Sequence, residues 1–294
     1  MADKEVTEMK IREILAQEKP VLSFEVFPPK REDAYSSVER AVTEIAGLSP
    51  SFMSVTYGAG GGTSRYTAKI AAELKKNYGV TSLAHLSCVS STKEEVREMA
   101  QKLKELGIEN ILALRGDIPA DGNIRTDYRY ASQLVHDLKS MGDFCIGGAC
   151  YPEGHPESPS KERDILYLKE KVDAGCDFLT TQMFFDNNIL YNFLYRIREK
   201  GITVPVIAGI MPVTNAKQMR RILSMSGTYL PTRFKAILDK FGDNPAAMKQ
   251  AGIAYATEQI IDLIANDIHA VHVYSMNKPD VARQIKTSLS EILS

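Results

Sequence analysis

No apolar run in this chain approaches the roughly 20 residues that a membrane-spanning helix needs, so no membrane segment is expected. The opening stretch, MADKEVTEMKIREILAQEKP, is charged throughout and has no apolar core of the kind a secretory leader requires. Neither sign of charge is in excess. Lys and Arg total 36 against 37 Asp and Glu, a net charge of -1, which removes any bulk electrostatic reason to expect nucleic acid or a membrane surface as partner. Cysteine is scarce: Cys88, Cys145, Cys150 and Cys176 form no C-x-x-C pair and no cluster with histidine, so zinc and iron–sulfur sites are not expected. Three of the four lie in apolar, strand-like runs, where a buried reduced thiol is expected, and a cytoplasmic setting follows. Internal repeats, low-complexity tracts and linkers are also missing. The 294 residues, 44% hydrophobic and 25% charged, are therefore expected to form one domain spanning 1–294.

What the chain does have is alternation. Short β-rich runs at 21–27, 52–58, 81–88, 110–117, 144–151, 178–185, 204–212 and 270–276 are separated by charged segments of helical period. Most of the runs are almost continuously apolar, as parallel strands buried on both faces should be. The segment 92–106 opens on Thr92, carries Glu94 and Glu95 in its first turn and stops at Gly107, which predicts a capped helix. Segments 128–141 and 161–174 read the same way. Eight strands separated by helices predict an α/β fold, the (β/α)8 TIM barrel. An open, doubly wound sheet would place G-x-G-x-x-G after one strand, and Gly58-Ala59-Gly60-Gly61-Gly62-Thr63 breaks that spacing. Between Pro212 and Ala270 there is room for three helices, predicted at 215–225, 231–241 and 245–267, inserted between strands 7 and 8. Pro231 and Pro245 stand where helix starts favour proline.

In such barrels the chemistry sits at the carboxyl ends of the strands, and here seven of those ends carry polar or glycine-rich groups. Glu25 is embedded in the apolar strand Ser23-Phe24-Glu25-Val26-Phe27. There it is either half of a structural ion pair or a carboxylic acid of raised pKa able to give a proton. The glycines at 58–62 let backbone amides approach phosphate oxygens, or simply make a flexible loop. His85 lies within Ala84-His85-Leu86, where a satisfied core histidine is the commoner outcome. Arg115-Gly116-Asp117 ends a buried strand, so a cell-adhesion role is excluded in favour of a planar heterocycle or a pyrophosphate. Tyr151 and His155 suit stacking on a nucleotide, or a proline-bounded turn; Asp164 and Lys171, seven apart, share a helix face, as a solvated face would also show. Gln182 is expected to be a buried amide that both donates and accepts, as a pterin-like edge demands, or one satisfied by neighbouring backbone.

Taken together, S-F-E-V-F-P-P-K at 23–30, V-T-Y-G at 55–58, A-H-L-S-C at 84–88, L-R-G-D at 114–117, Y-P-E-G-H-P-E at 151–157, K-V-D-A-G at 171–175, T-Q-M-F-F-D at 181–186 and G-I-M-P-V at 209–213 resemble, in order, the motifs of the methylenetetrahydrofolate reductase family. The resemblance covers nearly the whole chain. It implies a barrel with non-covalent FAD at its mouth that reduces 5,10-methylenetetrahydrofolate to 5-methyltetrahydrofolate with NADH or NADPH as donor. Carried over motif by motif, Glu25 is the acid that assists opening of the folate's five-membered ring, and Asp117 and Gln182 hydrogen-bond the pterin. Thr56, Tyr57, Ala59, His85, Arg115, Gly116, Asp117, Ala131, Tyr151, His155, Ser158, Asp164, Tyr167 and Lys171 line the FAD, while Gln218 and Lys278 lie towards folate and nicotinamide.

Two departures fall on the donor side. Members that use a nicotinamide often carry phenylalanine four residues after the glutamine matching Gln218, where this chain has Ile222, and Lys278 replaces a familiar arginine. An aliphatic side chain cannot stack on a ring, and an ammonium lacks the planar fork. Three alternatives follow: a self-sufficient NAD(P)H-dependent reductase, the catalytic subunit of a complex fed by an iron–sulfur or flavin-bearing partner, or a barrel that binds flavin or folate without chemistry. A homo-oligomer and a small-molecule folate substrate are expected for the first. A Schiff-base aldolase is more remote, because no strand end carries a suitable lysine.

Overall fold

Eight parallel strands close into a barrel in chain order: β1 (Val21–Val26), β2 (Met53–Val55), β3 (Ser82–Ser87), β4 (Asn110–Leu114), β5 (Cys145–Cys150), β6 (Phe178–Thr181), β7 (Val206–Ile210) and β8 (Ala270–Val273). The structure is a computed structural model and describes residues 9–17, 19–29, 31–57, 64–118 and 127–294. The helices are α1 (Ile11–Leu15), α2 (Tyr35–Ala46), α3 (Ser64–Tyr78), α4 (Lys93–Glu105), α5 (Ala131–Met141), α6 (Lys161–Asp173), α7 (Asn187–Glu199), α8 (Ala216–Ser226), α9 (Thr232–Phe241), α10 (Pro245–Ala265) and α11 (Pro279–Ser288). Among the described residues no helix is long and apolar enough to cross a membrane.

Side chains alternate across each strand, so every strand serves two layers. Outward residues such as Leu22, Phe24 and Val26, with Met53, Val55, Ile111 and Ile146, pack under the helices in the main core. The inward residues stack from the amino-terminal end upwards. The lowest layer is apolar: Val21, Phe52, Leu83, Leu112, Cys145, Phe178, Ile207 and Ala270. Gly147 admits the Phe178 ring into that layer, since a Cβ there would stand 2.5 Å from it. Above it the interior turns polar, with Ser23 and Ser54 on either side of His272. The barrel is thus plugged below and hydrogen-bonding above.

The plug is completed by α1, which the sequence reading did not anticipate. Five residues are too few for an isolated helix to hold. Ile11 and Ile14 are buried against the lowest layer, and Ile11 N–H donates to Asn110 Oδ1 at 2.9 Å. Burying one such side chain is worth about 1.5–3 kcal/mol. Tertiary contact therefore makes this helix, not propensity.

The predicted caps are present: Thr92 Oγ1 accepts from Glu95 N–H, and the Glu95 carboxylate accepts from Thr92 N–H. The insertion of α8, α9 and α10 lies between β7 and β8 as expected, although Pro231 is the N-cap of α9 rather than its first residue. It has its own small core, in which Phe185, Phe234 and Tyr255 stack in series with centroids 5.1 and 4.5 Å apart. All four cysteines are free and buried, and burial pushes each thiol up to about 12, where thiolate chemistry is shut off.

Candidate active site

The strands end earlier than their apolar runs do, and the polar motifs begin where the ladder stops. β4 ends at Leu114, one residue before Arg115, and β6 ends at Thr181, one residue before Gln182. Three groups of side chains are assembled around the mouth.

The first is an acid centre. Glu25 is second to last in β1, on the inward face, with 18% of its side chain exposed. Its Oε2 lies 3.8 Å from Nε2 of His85 on β3, too far for a hydrogen bond. Burial pushes the Glu25 carboxyl up to about 8 and holds the His85 imidazole down to about 3. Both groups are therefore neutral at pH 7, and no lysine or arginine pairs with Glu25 among the described residues. Burying an unpaired carboxylate is costly, so the group retains its proton instead. His85 Nε2 is buried with no hydrogen-bond partner among the described residues. An orphaned ring nitrogen beside a protonated acid is a place that wants a polar ligand, and the hydrogen-bonding edge of a flavin or pterin fits it.

The second group is a wall built from β4, β5 and α6. Arg115 is forked on Glu157 through two bonds of 2.6 Å, which raises the guanidinium pKa and lowers that of Glu157. Gly116 has φ +85 and its α-carbon faces Ser87, so a side chain there would be both strained and crowded. Tyr151 and His155 meet edge to face at 4.6 Å. Burial raises the Tyr151 phenol to about 12, with Asp117 and Arg115 nearby, and it lowers the His155 imidazole. Ser158 Oγ donates to Asp164 at 2.7 Å, and Lys171 Nζ donates to the carbonyl of Ala149 at 2.7 Å. Lys171 is thus no solvated-face lysine: burial lowers its pKa, and Asp164 is among the groups around it. Ala131 opens α5, whose first turn is a source of backbone N–H groups for an anion. Tyr167 is exposed and, among the described residues, pairs with Arg163 on its own helix through a 3.3 Å bond and a ring contact. Thr56 and Tyr57 follow β2 at the rim, while Ala59 and the glycine loop lie outside the described residues.

The third group lies across the mouth. Gln218 and Ile222, one turn apart on α8, line a pocket with Thr214 and Lys278. Lys278 Nζ donates to Thr214 Oγ1 at 2.6 Å, and burial lowers its pKa. The backbone before it is unusual: Met276 and Asn277 both have positive φ, 56 and 52. Asn277 offsets that strain by clamping β1, with Oδ1 accepting from Phe27 N–H at 3.0 Å and Nδ2 donating to Phe27 O at 2.9 Å. Gln182, expected to be buried, is instead exposed because β6 stops at Thr181 and Gln182 opens the loop after it; its Oε1 accepts from the Met183 N–H at 2.9 Å.

Sequence reasoning missed Glu157, His272 and Tyr274. The last two were detectable, because in Ala-Val-His-Val-Tyr at 270–274 they share the parity of Ala270 and so point inwards. The pairing of Glu157 with Arg115 spans 42 positions and leaves no local signal.

A profile of the methylenetetrahydrofolate reductase family matches residues 10–290. The chain is 36% identical to the 5,10-methylenetetrahydrofolate reductase of Pectobacterium carotovorum subsp. carotovorum over 264 residues, 90% of this chain and 88% of that one. The enzyme of the same name from Escherichia coli (strain K12) is also 36% identical over the same shares. Methylenetetrahydrofolate reductase (NADH) 1 of Arabidopsis thaliana is 35% identical over 91% of this chain, which spans about half, 48%, of the plant protein. Among solved structures, a Clostridium thermocellum protein that binds two copies of 5-methyl-5,6,7,8-tetrahydrofolic acid superposes with a TM-score of 0.67 over 97% of this chain and 99% of that one. At 14% identity, that likeness concerns the fold.

Proposed function

The chain belongs to the methylenetetrahydrofolate reductase family, and from that premise we propose that it reduces 5,10-methylenetetrahydrofolate to 5-methyltetrahydrofolate with FAD as cofactor and NADH or NADPH as donor. The observation that carries this reading is Glu25, a largely buried acid whose pKa of about 8 keeps its proton at neutral pH, beside His85 Nε2, which has no partner among the described residues. A reduced flavin supplies the hydride. The protein's own contribution is to place a proton and hold two ring systems. Glu25 delivers its proton to the folate's bridging nitrogen, so that the five-membered ring opens and its one-carbon unit becomes electrophilic. Asp117 and Gln182, in the loops that follow β4 and β6, hydrogen-bond the pterin on either side of β5. Arg115, Tyr151, His155, Ser158, Asp164 and Lys171 hold the dinucleotide, with the first turn of α5 beside them.

The cofactor assignment rests on the extent of that wall. Tyr151, His155, Asp164 and Lys171, from the end of β5 to α6, offer a second half of the site suited to an adenine, which favours FAD over FMN. The expected result is a yellow protein whose released cofactor elutes as FAD on chromatography. FMN, or no flavin retained after reconstitution, would contradict it.

The donor is read from the third group. Ile222 leaves the pocket shared by Gln218 and Lys278 without an aromatic ring at that position. An aromatic stack is worth about 0.5–1.5 kcal/mol, so its absence weakens nicotinamide binding by about threefold to tenfold without abolishing it. Ile222→Phe is expected to speed flavin reduction by subsaturating NADH and to leave reduction by an artificial dye unchanged. An unchanged or slower NADH reaction would show that position 222 does not contact the donor, and a partner subunit would become the favoured electron source.

A further inference from the structure

Tyr274 follows β8 at the top of the barrel interior, and its hydroxyl donates to the main-chain carbonyl of Thr181 at 2.5 Å. That contact spans two strands, from β8 over β7 to β6. It exists because the β6–β7 ladder stops short. The paired residues are Leu179 with Val206 and Thr180 with Ile207, and the next amide, that of Gly209, goes to the Thr181 side chain, Oγ1, at 2.8 Å. The Thr181 carbonyl is thereby left for the phenol. Gly209 makes the room, since a Cβ there would stand 2.4 Å from both the Tyr274 hydroxyl oxygen and Thr181 O.

The phenol is itself held from below. Its ring meets His272 edge on at 5.6 Å and 89°, and Phe52 lies parallel to His272 at 5.6 Å and 8°. Ser23 Oγ donates to Val271 O at 3.1 Å, which leaves it to accept from His272 Nδ1 at 2.7 Å. His272 Nε2 then accepts from Ser54 Oγ at 2.9 Å. Burial, with His85 nearby, keeps the imidazole pKa at about 3, so this arrangement does not change with protonation at neutral pH. The Tyr274 phenol lies well above 10 for the same reason, burial, and remains a donor.

We propose that Tyr274 is a positioning residue for substrate recognition, a strut from β8 that fixes the Thr181–Gln182 peptide and through it the carboxamide of Gln182. The link to the side chain is short. Gln182 Oε1 is bound to the N–H of Met183, so the plane of the amide follows the local backbone. Fixing the peptide fixes the group that meets the pterin. The inference rests on the proposed role of Gln182 in holding the folate.

The test is a double-mutant cycle on the FAD-loaded enzyme, reading KM and kcat for methylenetetrahydrofolate. Tyr274→Phe removes one hydroxyl and keeps the ring. It is expected to raise KM about threefold to tenfold, the equivalent of one net hydrogen bond, with a smaller change in kcat. Gln182→Ala alone should also raise KM. In that background, adding Tyr274→Phe should leave KM near the Gln182→Ala value, because the strut then positions nothing. A wild-type KM in Tyr274→Phe, or independent and multiplying effects in the double variant, would overturn the inference while leaving Gln182 in its role. A wild-type KM in Gln182→Ala would instead overturn the reading of Gln182, and the inference with it.

Discussion

Glu25→Gln is expected to keep its FAD and its reduction by donor while losing methylenetetrahydrofolate reduction by about two to four orders of magnitude, the range for a positioned general acid. The amide has the carboxyl's shape and no proton to give. The wild-type profile carries the same signature: folate reduction should fall as pH rises through about 8, where Glu25 ionises, and the Gln variant should lack that limb. Stability moves with a definite sign as well. The free carboxyl ionises near 4.5 and the folded one near 8, so between those values the unfolded chain releases its proton first. Burial of Glu25 therefore costs stability progressively across that window, and the cost levels off above it. Denaturant titrations of wild type and Glu25→Gln at pH 5 and pH 8 should diverge, with the variant relatively more stable at the higher pH. Near-normal folate turnover in the variant would make Glu25 a structural residue.

Gly252→Ala carries the largest expected effect on the scaffold. In an exposed helix, alanine is better than glycine by about 1 kcal/mol, and α10 contains this glycine well inside its span. Here a Cβ would lie 1.7 Å from the carbonyl oxygen of Val213, a backbone atom that cannot rotate away. The helix must shift from the 212–214 segment, and overpacking of that kind costs about 1–3 kcal/mol and occasionally more. A fall in melting temperature of about 2–5 °C is expected for a chain of this size. Because Thr214 holds Lys278, the same displacement should raise KM for folate. A variant as stable as wild type would mean that α10 can slide over the β7 loop without penalty.

Much of the barrel was legible because parallel strands buried on both faces leave an unmistakable mark. The predicted strand ends were less so, and residues 178–185 show why. The apolar run continues past Thr181, yet Met183 and Phe185 are buried by the inserted helices rather than by the sheet. Hydrophobicity records burial without recording what does the burying. Helix α1 was invisible for the converse reason, since two isoleucines under the barrel hold it and its own charged sequence does not. At the site, Glu25 and His85 stood out as polar residues on apolar strands, but their 3.8 Å separation follows only from barrel closure. Lys171 was ambiguous in sequence because a helix face looks alike whether it meets solvent or a strand carbonyl; its bond to Ala149 O decides it.

On the proposed chemistry, this barrel mouth passes hydride to a folate with Glu25 as the proton source. The most direct measurement is anaerobic stopped-flow, in which protein with photoreduced flavin is mixed with methylenetetrahydrofolate and the flavin absorbance is followed. Rapid reoxidation with 5-methyltetrahydrofolate as product is expected, slowing as pH rises through about 8. Flavin that stays reduced, or that reoxidises at a rate indifferent to both pH and Glu25→Gln, would contradict it.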